Sequence, residues 1–248
     1  MRIADDVLAA LSTVECDGNA LRLVGTLDRK LYLRVNDVLE AAGGKWNRKS
    51  KAHIFEGSAA EAIDAVIVAG EITTKKTLQQ QFGYFPTPAP LAEQLVDLAE
   101  VEAGMDCLEP SAGRGAIAGP LRARGCRLLC VEVLPDNAAA LREFAVTLEA
   151  DFLTLDPADY VQFDRVVMNP PFAMQADIKH VMHARQFLRP GGILVSVMSA
   201  GVMFREDNRA RTFREWIAFR GGSITPLPEQ SFKESGTGVN TVVVKVTV

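Results

Sequence analysis

Phe163-Asp-Arg-Val-Val-Met-Asn-Pro-Pro-Phe172 is the stretch on which the reading of this chain turns. Val166, Val167 and Met168 form an apolar run bounded by turn residues, the pattern of a buried strand. Such a strand delivers Asn169 to its C-terminal end, the side on which open parallel sheets bind ligands. Pro170 and Pro171 then stop the hydrogen-bond ladder and delay any helix. The Asn169 amide is left facing outward on a stiff turn, with Phe172 just beyond. An amide oxygen, the Pro170 carbonyl and an aromatic face suit a planar ring bearing an NH2 group. The two oxygens accept the amino hydrogens and the ring stacks on Phe172.

Working outward, strand and helix patterns alternate over the hundred residues around this stretch, which predicts a doubly wound parallel sheet. Asp106-Cys-Leu-Glu109 reads as the first strand, followed by the small-residue turn Pro110-Ser111-Ala112-Gly113-Arg114-Gly115. Gly113 and Gly115 let the backbone approach a ligand at a helix start. Glu109 beside that turn is wrong for phosphate and right for a cationic or zwitterionic ligand, such as the amino-acid part of S-adenosylmethionine. The third glycine of a dinucleotide fingerprint is also missing. The second strand ends Val131-Glu132-Val133, and a carboxylate there can accept both hydrogens of a ribose diol. A third strand ends at Asp151-Phe152, where Asp151 also fits a helix N-cap. Three successive strand ends thus offer a carboxylate, and the fourth offers Asn169.

Asn169-Pro170-Pro171-Phe172 at a strand end resembles the catalytic tetrapeptide of class I S-adenosylmethionine-dependent N6-adenine methyltransferases. Related tetrapeptides, usually ending in Tyr, serve enzymes that methylate a glutamine amide or an exocyclic guanine amine. The resemblance covers roughly residues 82–248, and the chain is similar to small phage- and plasmid-borne enzymes that act on DNA. It implies a Rossmann-like seven-stranded sheet, S-adenosylmethionine as cofactor and DNA as partner, with RNA as the alternative. It also implies that Tyr84, Phe85, Pro86 and Thr87 fold over the methionine end of the cofactor. Ser111, Ala112, Gly113 and Gly115 would line its amino-acid end, Glu132 and Val133 its ribose, and Asp151 and Phe152 its adenine. A strand pair over 222–227 and 240–248 would close the sheet's antiparallel edge. Lys233, Ser235 and Thr237 in the loop between them would touch the flipped base or its phosphate; a glycine-rich hairpin loop explains the same letters.

The 248 residues are 48% hydrophobic and 23% charged, with a formal charge of −4, an ordinary globular composition that argues against a general nucleic-acid coat. Met1-Arg-Ile-Ala-Asp-Asp carries acids where a signal peptide would be basic and then apolar, and no apolar run reaches membrane-spanning length. A cytoplasmic protein with reduced cysteines is expected. Cys126 and Cys130 lack a second ligand pair for a metal, so no metal site is expected.

Residues 1–80 read as a small α+β accessory unit and 81–248 as the methyltransferase domain. In the first unit, helices are expected over 3–11, 27–42 and 58–69, the last with Ser58 as N-cap and Glu61 at capping-box spacing. Lys45-Trp-Asn-Arg-Lys-Ser-Lys-Ala-His-Ile-Phe55 gathers five basic residues around Trp46 without an acid. Lys49 and Lys51 would meet phosphates, and Trp46 either stacks on a base or belongs to the core of a hairpin. Residues 72–81 read as a linker. Phe204 and Arg205 open a second basic region, with Arg209, Arg211, Arg214 and Arg220, that is either a substrate contact or a solvated helix face. His180 and His183, at i and i+3, are expected as a surface or interface pair.

Overall fold

A computed structural model describes residues 3–71, 85–228, 231–232 and 239–248. Two sheets organise them. The first is a four-stranded antiparallel sheet of β1 (Glu15–Asp17), β2 (Ala20–Arg22), β3 (Lys45–Asn47) and β4 (Ala52–Ile54), in the order β1-β2-β4-β3. Three helices cover it: α1 (Asp5–Ser12), α2 (Arg29–Ala41) and α3 (Ala59–Ala69). Each of the last two starts where a side chain satisfies orphan backbone donors. The Asp28 carboxylate accepts from the N–H groups of Lys30 and Leu31, and Ser58 Oγ accepts from Glu61 N–H at 3.3 Å. Leu11, Leu21, Val35, Leu39 and Ile63 form their common core.

The second sheet holds β5 (Asp106–Pro110), β6 (Arg127–Glu132), β7 (Val146–Glu149), β8 (Phe163–Met168), β9 (Leu188–Ser199), β10 (Ser223–Pro226) and β11 (Thr241–Thr247). Its order is β10-β11-β9-β8-β5-β6-β7. β11 pairs antiparallel with both neighbours, so it alone is reversed and β10 runs with the parallel strands. The strand pair expected at the antiparallel edge is therefore one reversed strand inside an aligned one. Val166, Val167 and Met168 are fully buried, each side chain contributing about 1.5–3 kcal/mol relative to exposure. That burial holds Asn169 at a fixed height on the sheet edge.

Helices α4 (Ala89–Leu98) and α5 (Ala118–Ala123) pack on one face, through Leu91, Leu95 and Leu121. Helices α7 (Ala176–Ala184) and α9 (Asn208–Phe219) pack on the other, through Ile178, Val181, Phe213 and Ile217. α6 (Pro135–Arg142) follows β6, and the single turn α8 (Gly201–Phe204) follows β9. After β5 the chain builds β6 and β7 on one side, then crosses to β8 on the other. The loops after β5 and β8 diverge at this reversal and open a crevice at the strand ends.

The two sheets meet through α3. Its Asp64 pairs with Arg205 at 2.7 Å, both side chains 8% exposed, and also accepts the backbone N–H of Met174. Phe204 packs against the core of the first sheet. Arg205 is thus an internal tie, which corrects its expected role as a substrate contact: its guanidinium is committed to a carboxylate 141 positions away. Trp46 corrects the other way. It is 49% exposed on edge strand β3, with the His53 ring 5.1 Å from its own. Among the described residues, no helix is long and apolar enough to cross a membrane.

Candidate active site

The ends of β5, β6 and β8 and the loop after β7 enclose a cleft of about 310 Å³. Its first wall is the turn after β5. Ser111 and Gly113 both take positive φ, 62° and 58°, which sends the backbone back across the strand end. Ala112 N–H is held by the Val131 carbonyl at 2.9 Å, and Gly113 N–H by Glu132 Oε2 at 2.7 Å. Ser111, Ala112 and Gly113 all border the cleft; Gly115 does not. A Cβ on Gly115 would lie 2.4 Å from Phe144 Cζ, and φ there is +88°. The second glycine is therefore required for packing behind the turn.

The carboxylates differ in what they already hold. Glu132 is nearly buried and accepts two backbone N–H groups, from Gly113 on Oε2 and from Leu134 on Oε1 at 2.9 Å. A carboxylate has about four acceptor positions, so each oxygen keeps one for a ligand hydroxyl. Glu109 is 2% exposed, and its Oε2 has no hydrogen-bond partner among the described residues. Burial, and then the charge of Glu132, push its carboxyl well above the usual range. A buried, unpaired carboxylate is costly unless a cation or donor meets it. Val133 and Leu134 border the cleft beyond Glu132. Asp151 is exposed and caps the following short helix, its Oδ1 accepting from Leu153 N–H at 3.0 Å. The N-cap geometry is present, and the same residue lines the cleft.

Phe152 is 2% exposed, one edge of an aromatic cluster. His180, His183 and Phe187 lie 6.1, 4.9 and 5.1 Å from its centroid. The histidines expected as a surface or interface pair instead pack on this cluster, His180 buried and His183 half-buried, and His180 reaches the cleft wall. His180 Nδ1 lies 2.8 Å from the Ala176 carbonyl, which can only accept, so Nδ1 carries the proton. Burial lowers the pKa of this ring. Sequence reasoning missed this residue; the one signal was its place beside Val181 on the apolar face of α7.

The fourth strand end completes the site. Asn169 Nδ2 donates to the Phe85 carbonyl and to Thr87 Oγ1, both at 3.0 Å. A carbonyl can only accept, so the amide is fixed with nitrogen toward the Phe85-Pro-Thr-Pro88 segment and oxygen away from it. Asn169 Oδ1 is buried and has no partner among the described residues. Phe85, Pro86, Thr87, Asn169 and Pro171 all line the cleft. Phe172 lies 2% exposed behind it, near-parallel to Phe85 with centroids 6.4 Å apart. Pro170 is buried. One cleft thus brings together Glu109, Glu132, Asp151 and Asn169, and among its lining acceptors Glu109 Oε2 and Asn169 Oδ1 lack donors from the described residues. Lys49 and Lys51 are exposed beside Trp46 on the first sheet's hairpin, outside the cleft. Tyr84, Lys233, Ser235 and Thr237 lie outside the described residues.

In sequence, no family model and no curated protein matches the chain. Solved structures match its fold. The methyltransferase subunit of a type I restriction-modification system from Streptococcus thermophilus is 19% identical, with a TM-score of 0.59 over 90% of this chain and 55% of its own length. A dimethyladenosine transferase from Plasmodium falciparum is 13% identical, with a TM-score of 0.53 over 66% of this chain and 63% of its own. The chain spans about half the length of the first and under two thirds of the second. At these identities the likeness is one of architecture, and it agrees with the strand order: the chain carries the seven-stranded Rossmann-like methyltransferase fold.

Proposed function

We propose that the protein is an S-adenosylmethionine-dependent methyltransferase that places a methyl group on the N6 amine of adenine in DNA. The observation that carries this reading is the pinned Asn169 amide, whose buried oxygen shares a cleft with a Glu109 oxygen, neither having a donor among the described residues. The donor sets fit the cofactor. Glu109 takes the ammonium, Glu132 the ribose diol and Asp151 the adenine amine, with the Phe152 edge against the base. Phe85, Pro86 and Thr87 close over the methionine end, beside Asn169.

Bound there, the cofactor supplies a methyl group on a cationic sulfur. The chain itself supplies position. Asn169 Oδ1 and the Pro170 carbonyl accept the two N6 hydrogens of a target adenine, which leaves the nitrogen lone pair free to attack. Methylation would place positive charge on the amine, and the two oxygens would stabilise it where it develops. The extra proton leaves to solvent. Phe172, buried and stacked on Phe85, backs the wall behind these groups and does not itself line the cleft.

The adenine must leave the base stack to reach these groups. We assign phosphate contacts to the exposed hairpin carrying Lys49 and Lys51, with Trp46 beside them as a stacking surface. Residues 1–80 then act as an accessory nucleic-acid-contacting domain and 81–248 as the methyltransferase domain, working in the cytoplasm. DNA is the substrate class proposed here, and RNA is the alternative the labelling experiment separates from it. Incubation with methyl-labelled S-adenosylmethionine and unmethylated DNA, RNA and protein extract, side by side, tests the reading. Label in DNA, recovered as N6-methyladenine, is expected; label only in RNA or on protein glutamine assigns the scaffold to another substrate, and cofactor binding without transfer makes it non-catalytic.

A further inference from the structure

The three residues after the tetrapeptide are built in a way that core packing does not require. Met174 and Gln175 both sit in the left-handed region, at φ 53° and 55°. Neither is glycine or asparagine, and each such residue costs on the order of 1–3 kcal/mol unless its surroundings hold it there. The surroundings do hold it. Asp64, from α3 of the first sheet, accepts the Met174 N–H on one oxygen and the Arg205 guanidinium on the other, at 2.7 Å. Asp207 Oδ2 accepts from Gln175 Nε2 at 3.1 Å while its Oδ1 caps α9. Arg209 Nη1 lies 3.5 Å from the Met174 carbonyl.

What this clamp presents is a flexible apolar side chain in water. Met174 is 47% exposed and belongs to none of the hydrophobic clusters. It stands three residues beyond Pro171, which lines the cleft, with the exposed Arg209 beside it. Turning a base out of a duplex leaves a gap, and apolar side chains such as Met are used elsewhere as wedges between unstacked bases.

Resting on the methyltransferase reading above, we propose that Met174 is a substrate-contacting wedge that fills the stack vacated by the target adenine, so that the substrate is double-stranded DNA. The Asp64–Arg205 pair and Asp207 hold the backbone that aims it, and Arg209 takes a flanking phosphate.

Met174→Gly tests this without endangering the fold, since glycine adopts the observed φ freely. Methyl transfer is measured on unmethylated genomic DNA, native and heat-denatured, for the wild type, M174G and M174L. M174G should lose at least about tenfold in kcat/KM on native DNA, equivalent to ~1.4 kcal/mol of transition-state stabilisation, and stay within about twofold on denatured DNA. M174L, which keeps the apolar volume, should retain the wild-type ratio of the two activities. Equal losses on both forms, or no loss on native DNA, would overturn the wedge while leaving the methyltransferase reading intact. A wild type that methylates neither form would overturn both.

Discussion

Replacing Glu109 by Gln should remove a proton from the cofactor-binding equilibrium. Glu109 is buried, one of its oxygens is unpartnered, and burial with the Glu132 charge holds its carboxyl well above the usual range. The free protein therefore keeps a proton on Glu109 at pH values where an ordinary glutamate has lost it. Docking an ammonium group favours the ionised carboxylate, so binding expels that proton. The sign follows: affinity rises with pH, by up to about tenfold per unit, and levels off where the free carboxyl ionises unaided. The window opens above the ordinary glutamate range and closes where the free carboxyl ionises or the ligand loses its own α-amino proton, at about 7.7–8.0. The amide introduced by E109Q cannot ionise, so the slope should vanish. The ammonium would also lose its buried partner, which costs about 3–5 kcal/mol, on the order of a 10²–10⁴-fold weaker Kd. Isothermal titration with S-adenosylmethionine, in buffers of different ionisation enthalpy, reads both proton release and Kd. A wild-type Kd that ignores pH across this window, or proton release that persists in E109Q, would refute the reasoning.

Other perturbations separate packing from contact. Gly115→Ala puts a methyl 2.4 Å from Phe144 Cζ at a φ of +88°, so strain and overpacking should cost about 2–5 kcal/mol. A thermal melt should show a drop of roughly 5–15 °C, and an unchanged midpoint would return Gly115 to a ligand-facing role. Lys49→Gln with Lys51→Gln should weaken DNA binding regardless of sequence and lower the salt slope by about two, one for each phosphate no longer neutralised. An unchanged slope would place the phosphate path elsewhere.

The parallel sheet was legible because each central strand is an apolar run ended by a turn residue, and because parallel strands are buried on both faces. The site was legible for a related reason. Glu109, Glu132, Asp151 and Asn169 stand at successive strand ends, and a parallel sheet collects such ends at one edge. What stayed hidden depended on partners distant in sequence. Arg205 reads as a surface cation until Asp64 is seen to bury it. Thr87 enters only through the resemblance until the Asn169 amide is found bonded to it. Trp46 was ambiguous because a three-residue edge strand has no burial pattern, and all three residues of β3 are exposed. His180 was masked by its helix, whose apolar stripe does not reveal that one flank reaches the strand ends. The packing of Gly115 against Phe144 was hidden because a glycine serves tight packing as well as ligand approach.

The central claim is that the Asn169 oxygen grips the target amine and plays little part in holding the cofactor. Asn169→Ala, assayed for N6-methyladenine in unmethylated DNA and, by calorimetry, for S-adenosylmethionine binding, tests it most directly. Turnover should fall by at least about 10²–10³-fold, the usual effect of removing one positioned transition-state contact, while Kd shifts by no more than about threefold. Wild-type turnover in N169A, or a Kd that collapses in step with kcat, would contradict it.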